Sequence, residues 1–264
     1  MPKPDPRISI DWPNPGPAAR RQVRVGLSPM RKAGDPKSEQ VDELRFGDGF
    51  TVYEEQGDWA FGQSARDSYV GHVPAEAVRP GLFTATHAVS NLLTFLFPEP
   101  SVKAPPLDQL TFLSQVAVGG EEGRFCILES GGFVHREHLA PLKILEKVWV
   151  AVDEKFLGVP YLWGGISPLG CDCSGLIQLA LQACGIPCPR DSDMQTEALG
   201  QKLGDRLEGL SLQRGDIVCF KGHIGFMHDA QNLLHANAYH GKVMMEPLAE
   251  VVKRGASVTA VKRI

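Results

Sequence analysis

The chain has 264 residues, 43% hydrophobic and 22% charged. That is enough apolar material for a sizeable core and too much for a wholly disordered chain. Its 27 basic and 31 acidic residues leave a formal charge of −4, which argues against a nucleic-acid binder, because neutralising phosphates needs a basic surface. No window approaches ~18 consecutive apolar residues, so no membrane-spanning helix is expected.

Residues 1–20 carry Pro2, Pro4, Pro6, Pro13, Pro15 and Pro17 and read as an extended arm. Prolines and charges interrupt every apolar run that a secretory signal would need. Sec-type export is therefore not expected, and a cytoplasmic location is. In that compartment Cys126, Cys171, Cys173, Cys184, Cys188 and Cys219 read as reduced thiols rather than a disulfide scaffold.

Short β-like runs fill residues 21–80: Val23–Leu27, Phe50–Tyr53, Trp59–Gln63 and Tyr69–Val73. Polar turns at Gly57-Asp58 and Arg66-Asp67-Ser68 separate them. The spacing predicts one small, strongly bent barrel. Residues 84–140 repeat the rhythm through Leu92–Phe97, Gln115–Val118, Phe125–Leu128 and Gly132–His135, predicting a second. From residue 142 a third domain runs to 264.

There the pattern changes. Leu142, Leu145, Val148, Trp149 and Val152 recur at helical spacing between Pro141 and Phe156. A second helix is expected from Cys173 to a stop at Gly185 and Pro187. A third is expected to reach Leu199 with Ser192 as its N-cap. Strands follow at Ile217–Phe220, Ile224–His228, Leu233–Ala236, Val243–Met245 and Val258–Ile264. Helices first and strands second is an α+β pattern.

The most informative stretch is Gly158-Val-Pro-Tyr-Leu-Trp-Gly-Gly-Ile-Ser-Pro-Leu-Gly-Cys-Asp-Cys-Ser-Gly175. It puts Cys173 where a Gly-rich loop meets a helix N-terminus, whose unpaired N–H groups favour a thiolate. A nucleophilic cysteine also needs a base. His223, after the Arg214-Gly-Asp216 turn, and His235, twelve residues on, fit two neighbouring antiparallel strands, one imidazole contacting Cys173 and the other orienting the first. The structural alternatives are an inert buried thiol at Cys173 and a satisfied core histidine at His235. No metal site is expected, because Cys171-x-Cys173 lacks zinc-ligand spacing and a second pair. No cofactor is called for.

These residues, with Pro189-Arg-Asp-Ser-Asp-Met-Gln195, Gly215–Gly225 and Leu234–Tyr239, resemble the NlpC/p60 peptidases, papain-like enzymes of bacterial cell-wall peptides. Residues 21–140 resemble the paired bacterial SH3-like barrels of the dipeptidyl-peptidase branch. The resemblance implies two SH3-like barrels followed by a papain-like catalytic domain. It implies Cys173 as nucleophile, His223 as general base and acid, and His235 as its orienting partner. Tyr161 would help bind the oxyanion, and Asp172 would hold a substrate α-amine. Ser174, Arg190, Asp191 and Ser192 would shape a D-glutamate pocket. Glu54 or Glu55, with Tyr69, would recognise the amine from the first barrel, unless they are simply solvated barrel residues.

The expected activity is hydrolysis of the γ-D-glutamyl–diamino acid bond in free murein peptides with an unblocked L-alanine. The partner is then a small peptide, with neither nucleic acid nor membrane, and the oligomeric state stays open, a monomer included. The alternatives are a lysin cutting intact murein, a non-catalytic wall-peptide binder, and acyl transfer by the same nucleophile.

Overall fold

The computed structural model describes residues 5–10, 18–142 and 146–264. The chain divides into two compact units, residues 1–144 and 145–264. The arm expected over residues 1–20 lies largely outside the described residues. Its described part runs beside the first barrel: Val70 N donates to Arg7 O, and Gln63 Nε2 to Ile8 O.

The first unit begins with a seven-stranded antiparallel sheet. Its spatial order is Gln40–Arg45, Leu27–Arg31, Val70–Pro74, Trp59–Ser64, Gly49–Gln56, Ala19–Val23 and Val78–Arg79. The strands alternate in burial, as in Trp59–Ser64, and send Met30, Leu44, Phe50, Val52, Ala60 and Val73 into one core. The strand expected at residues 23–27 is instead two strands flanking a turn. Gly26 forces the break, because a Cβ there would lie 1.8 Å from Gln109 O.

The second barrel is built from shorter pieces. Leu93–Leu96 pairs with Asp108–Thr111, and Val118–Glu122, Phe125–Leu128 and Phe133–His135 form a meander. His87–Val89 sits between Gln115–Val116 and Leu139–Pro141. Val89, Leu110, Val116, Leu128 and Val134 form its core together with Phe46, which follows a strand of the first barrel. The two barrels therefore fold as one unit.

The second unit has a six-stranded antiparallel sheet in the order Gln201–Gly204, Val258–Arg263, Ile217–Phe220, His223–Met227, Asn232–Asn237 and Lys242–Pro247. Its helices are α1 (Trp149–Glu154), α2 (Cys173–Ala183), α3 (Ser192–Ala198) and α4 (Leu248–Lys253). α2 is buried along nearly its whole length and packs on the strands that begin at His223 and Asn232. Among the described residues no helix is long and apolar enough to cross a membrane.

Two helical expectations need correction. The helix expected from Pro141 starts only at Trp149, because Pro141 closes a strand. Leu145 lies outside the described residues. Of the expected face Val152 is buried and Trp149 partly so, but Val148 is 49% exposed, and Val150 and Asp153 are buried instead. The N-cap of α3 is Asp191 rather than Ser192, which is its first helical residue.

Candidate active site

Cys173 opens α2 and is 7% exposed. Its N-cap is Asp172, whose carboxylate accepts from Gly175 N at 2.7 Å. The Gly-rich loop approaches closely: a Cβ on Gly175 would meet Gly165 O at 2.2 Å. That packing needs glycine at 175, and Gly165 is as tightly placed, with a Cβ there 2.4 Å from Gly170 O.

The helix start does not win the thiol's proton balance. Burial, then the charge of Asp172, pushes the Cys173 thiol up to about 12 against hydrogen bonds from the N–H groups of Ile224 and Ser174 and the charge of Arg190. Burial thus opposes the thiolate that the helix terminus favours. Because Ile224 follows His223, the same hydrogen bond brings the sulfur to the strand end that carries the imidazole.

The two histidines meet through strand register. Phe226 pairs with Leu234, so His235 falls across from Gly225, two residues from His223. Gly225 has room for nothing larger, since a Cβ would lie 2.9 Å from that of His235. The result is a 2.7 Å contact from His223 Nε2 to His235 Nδ1. Burial, with His235 beside it, draws His223 down to about 3. Burial lowers His235 as well, opposed by Glu246. Burial thus works against charge on the thiol and on both imidazoles.

Sequence reading missed what lies behind them. His235 Nε2 is 3.0 Å from Glu246 Oε1, and Asn237 Nδ2 donates to the same oxygen at 3.1 Å. Arg254 clamps the carboxylate through both terminal nitrogens. The signal available was the even spacing of Met244 and Glu246 on a strand beside that of His235, read across three strands rather than along one.

Asp172, the residue expected to hold a substrate α-amine, is engaged within the chain. Its oxygens accept from Gly164 N, Gly175 N, the Ser174 hydroxyl and both arms of Arg190. Five donors fill a carboxylate with about four lone-pair sites, so a substrate ammonium has no place unless one leaves. Arg190 is 1% exposed and also donates to Ser174 Oγ at 3.0 Å. Arg190, Asp172 and Ser174 form a buried lock that fixes the start of α2. Asp191 and Ser192 follow at the start of α3, half-buried.

Tyr161 is partly buried and joined to Cys171 by a β-bridge. Its hydroxyl is raised above its ordinary value by burial and then by Cys173 and Asp172 nearby, so it stays a donor. In the first barrel Glu54 is exposed, Glu55 forms a two-pronged pair with Arg21, and Tyr69 is a core residue 5% exposed. Ser68, before it, holds φ 65°, a left-handed turn position that glycine fills at less cost. All six cysteines are free, and among the described residues no group of His, Cys, Asp or Glu is arranged to hold a metal ion.

A buried thiol at a helix N-terminus, beside an imidazole backed by a second polar ring, is the arrangement of a papain-like cysteine peptidase. Residues 158–261 match the NlpC/P60 family, and residues 30–78 match the bacterial dipeptidyl-peptidase Sh3 domain. The chain carries an SH3-like module followed by an NlpC/P60 domain and is a cysteine peptidase. It is 28% identical over 234 residues to the γ-D-glutamyl-L-lysine dipeptidyl-peptidase of Bacillus subtilis, covering 80% of this chain and 76% of the relative. It is 25% identical to dipeptidyl-peptidase 6 of Lysinibacillus sphaericus, covering 82% and 87%. The fold is that of an NlpC/P60 family protein from Bacillus cereus, with a TM-score of 0.78 over 93% of this chain and 99% of that one at 18% identity.

Proposed function

We propose that this peptidase hydrolyses the γ-D-glutamyl–diamino acid bond of free murein peptides that begin with an unblocked L-alanine. Two observations support the reading. Cys173 opens α2 and is hydrogen-bonded by the N–H of Ile224, next to His223, which in turn contacts His235 at 2.7 Å. The relatives that span both units are named for dipeptidyl-peptidase activity, one of them on γ-D-glutamyl-L-lysine. Release of a dipeptide counts from a free N-terminus, which intact murein does not offer at its L-alanine. Peptide recycling in the cytoplasm belongs to the same proposal.

The chemistry follows from the site. The Cys173 thiol gives its proton to His223 as sulfur attacks the γ-carbonyl, forming a C–S bond. The oxyanion is met by the Cys173 N–H, one of the first-turn amides with no intrahelical acceptor, and by the Tyr161 hydroxyl. The C–N bond then breaks as His223 passes the proton to the leaving amine. Water attacks the thioester, giving a proton to His223. That proton returns to sulfur as the dipeptide leaves.

Three substrates separate this reading from wall lysis: the L-Ala-γ-D-Glu-diamino acid tripeptide, its N-acetylated form, and purified sacculi. Mass spectrometry of the products is expected to show cleavage of the free tripeptide alone. Equal cleavage of sacculi or of the acetylated peptide would overturn it.

A further inference from the structure

Glu246 sits one strand beyond His235, on the same face of the sheet, as His235 sits one strand beyond His223. Burial pushes its carboxyl up, but hydrogen bonds from Arg254 and His235 overcome this and hold it at about 2. It is a carboxylate at any working pH and can only accept hydrogen bonds. At 3.0 Å from His235 Nε2 it requires a proton on that nitrogen, since a bare one would set lone pair against lone pair. Asn237 faces both groups: its Oδ1 accepts from Tyr239 N at 2.7 Å, so its NH₂ donates to Glu246 Oε1 at 3.1 Å and lies 3.2 Å from His235 Nε2, and the proton on that nitrogen rests on the shorter contact with the carboxylate.

A neutral imidazole carries one N–H. With it on Nε2, His235 presents a bare Nδ1 to His223 Nε2, 2.7 Å away. That nitrogen must then be the N–H of His223, which leaves His223 Nδ1 bare. We propose that Glu246 is a positioning residue that sets, through His235, the tautomer in which His223 offers Nδ1 as the base to Cys173. Arg254 and Asn237 hold the carboxylate in place. When His223 takes the thiol proton, its positive charge is balanced along the same line. The inference rests on the Cys173–His223 reading of the centre.

The test is the ring ¹⁵N spectrum of the full chain labelled in histidine, at neutral pH, alongside tripeptide kinetics. His223 and His235 are both expected as Nε2–H with bare Nδ1. In Glu246→Leu the His235 tautomer is expected to change, and kcat to fall about tenfold or more with KM little altered, as when an outer hydrogen-bond partner is lost. Glu246→Gln, whose amide oxygen still accepts, is expected to recover part of kcat. Nδ1–H on His235 in the unsubstituted chain would overturn the proposal, and so would a Glu246→Leu variant with unchanged tautomers and kcat. If that variant does not fold, the spectrum of the unsubstituted chain decides. If the unsubstituted chain leaves the tripeptide intact, the substrate reading falls while the spectrum still tests the relay.

Discussion

Arg190 grips Asp172 with two hydrogen bonds, 3.0 Å from Nη1 to Oδ1 and 2.7 Å from Nη2 to Oδ2, and both side chains are under a tenth exposed. This pair lies at the start of the helix that carries Cys173. Removing the guanidinium would leave a buried carboxylate without its ion-pair partner, held by Gly164 N, Gly175 N and Ser174 alone, at a cost of about 3–5 kcal/mol. Arg190→Met is therefore expected to lower urea-unfolding stability by that amount. Arg190→Lys should rescue little, because an ammonium cannot make the two-pronged contact. A loss below about 1 kcal/mol for Arg190→Met would mean that the pair does not fix the helix start.

His235 serves His223 as an acceptor at Nδ1. Asparagine can supply a carbonyl oxygen there, and leucine cannot. Tripeptide assays should find Asn at 235 retaining measurable kcat and Leu losing about a hundredfold or more, the lower end of the range for losing general acid–base support. Equal activities would show that the second ring does not orient the first.

Asp153 is fully buried on α1, and neither carboxyl oxygen has a hydrogen-bond partner. Burial, then Glu154, raises its pKa well above 3.8. The folded state thus binds a proton that the unfolded chain releases, and stability falls as pH rises from 3.8 through the folded value. Asp153→Asn removes this slope. Its stability relative to the unsubstituted chain should grow with pH by at most about 1.4 kcal/mol per unit. A constant difference from pH 4 to 8 in denaturant titrations would contradict the buried, protonated carboxyl.

Glu246 has the opposite sign. Its carboxyl is lowered from 4.5 to about 2, so its contribution is complete above 4.5 and is lost as pH falls toward 2. Acid unfolding of Glu246→Gln should be less steep over that window. An unchanged acid limb would mean that Arg254 and His235 do not stabilise the carboxylate.

Much of this was legible in the sequence. Phe125–Leu128 is a short apolar run bounded by turns, and it is a strand as expected. Cys173, His223 and His235 could be brought together on paper because one helix start and two adjacent strands leave few arrangements. Gln40–Arg45 was not legible: Asp42, Glu43 and Arg45 are buried charges in a strand, and Asp42 is offset by Arg66 from a distant turn. Period-two hydrophobicity has no term for a buried ion network. Glu246 was hidden for a related reason, since its partners come from strands whose register only the fold fixes. The opposing effect of burial on the Cys173 thiol was not legible, because local sequence shows the helix terminus but not the depth of burial.

The most direct test of the centre is to catch the acyl-enzyme. The tripeptide is mixed with the full chain and quenched in acid during turnover, and the protein mass is read intact and after peptide mapping. The expected result is an L-alanyl-D-glutamyl thioester on Cys173 and on none of the other five thiols, absent from Cys173→Ala, which should also release no diamino acid. An adduct on another cysteine, or turnover by Cys173→Ala, would contradict it.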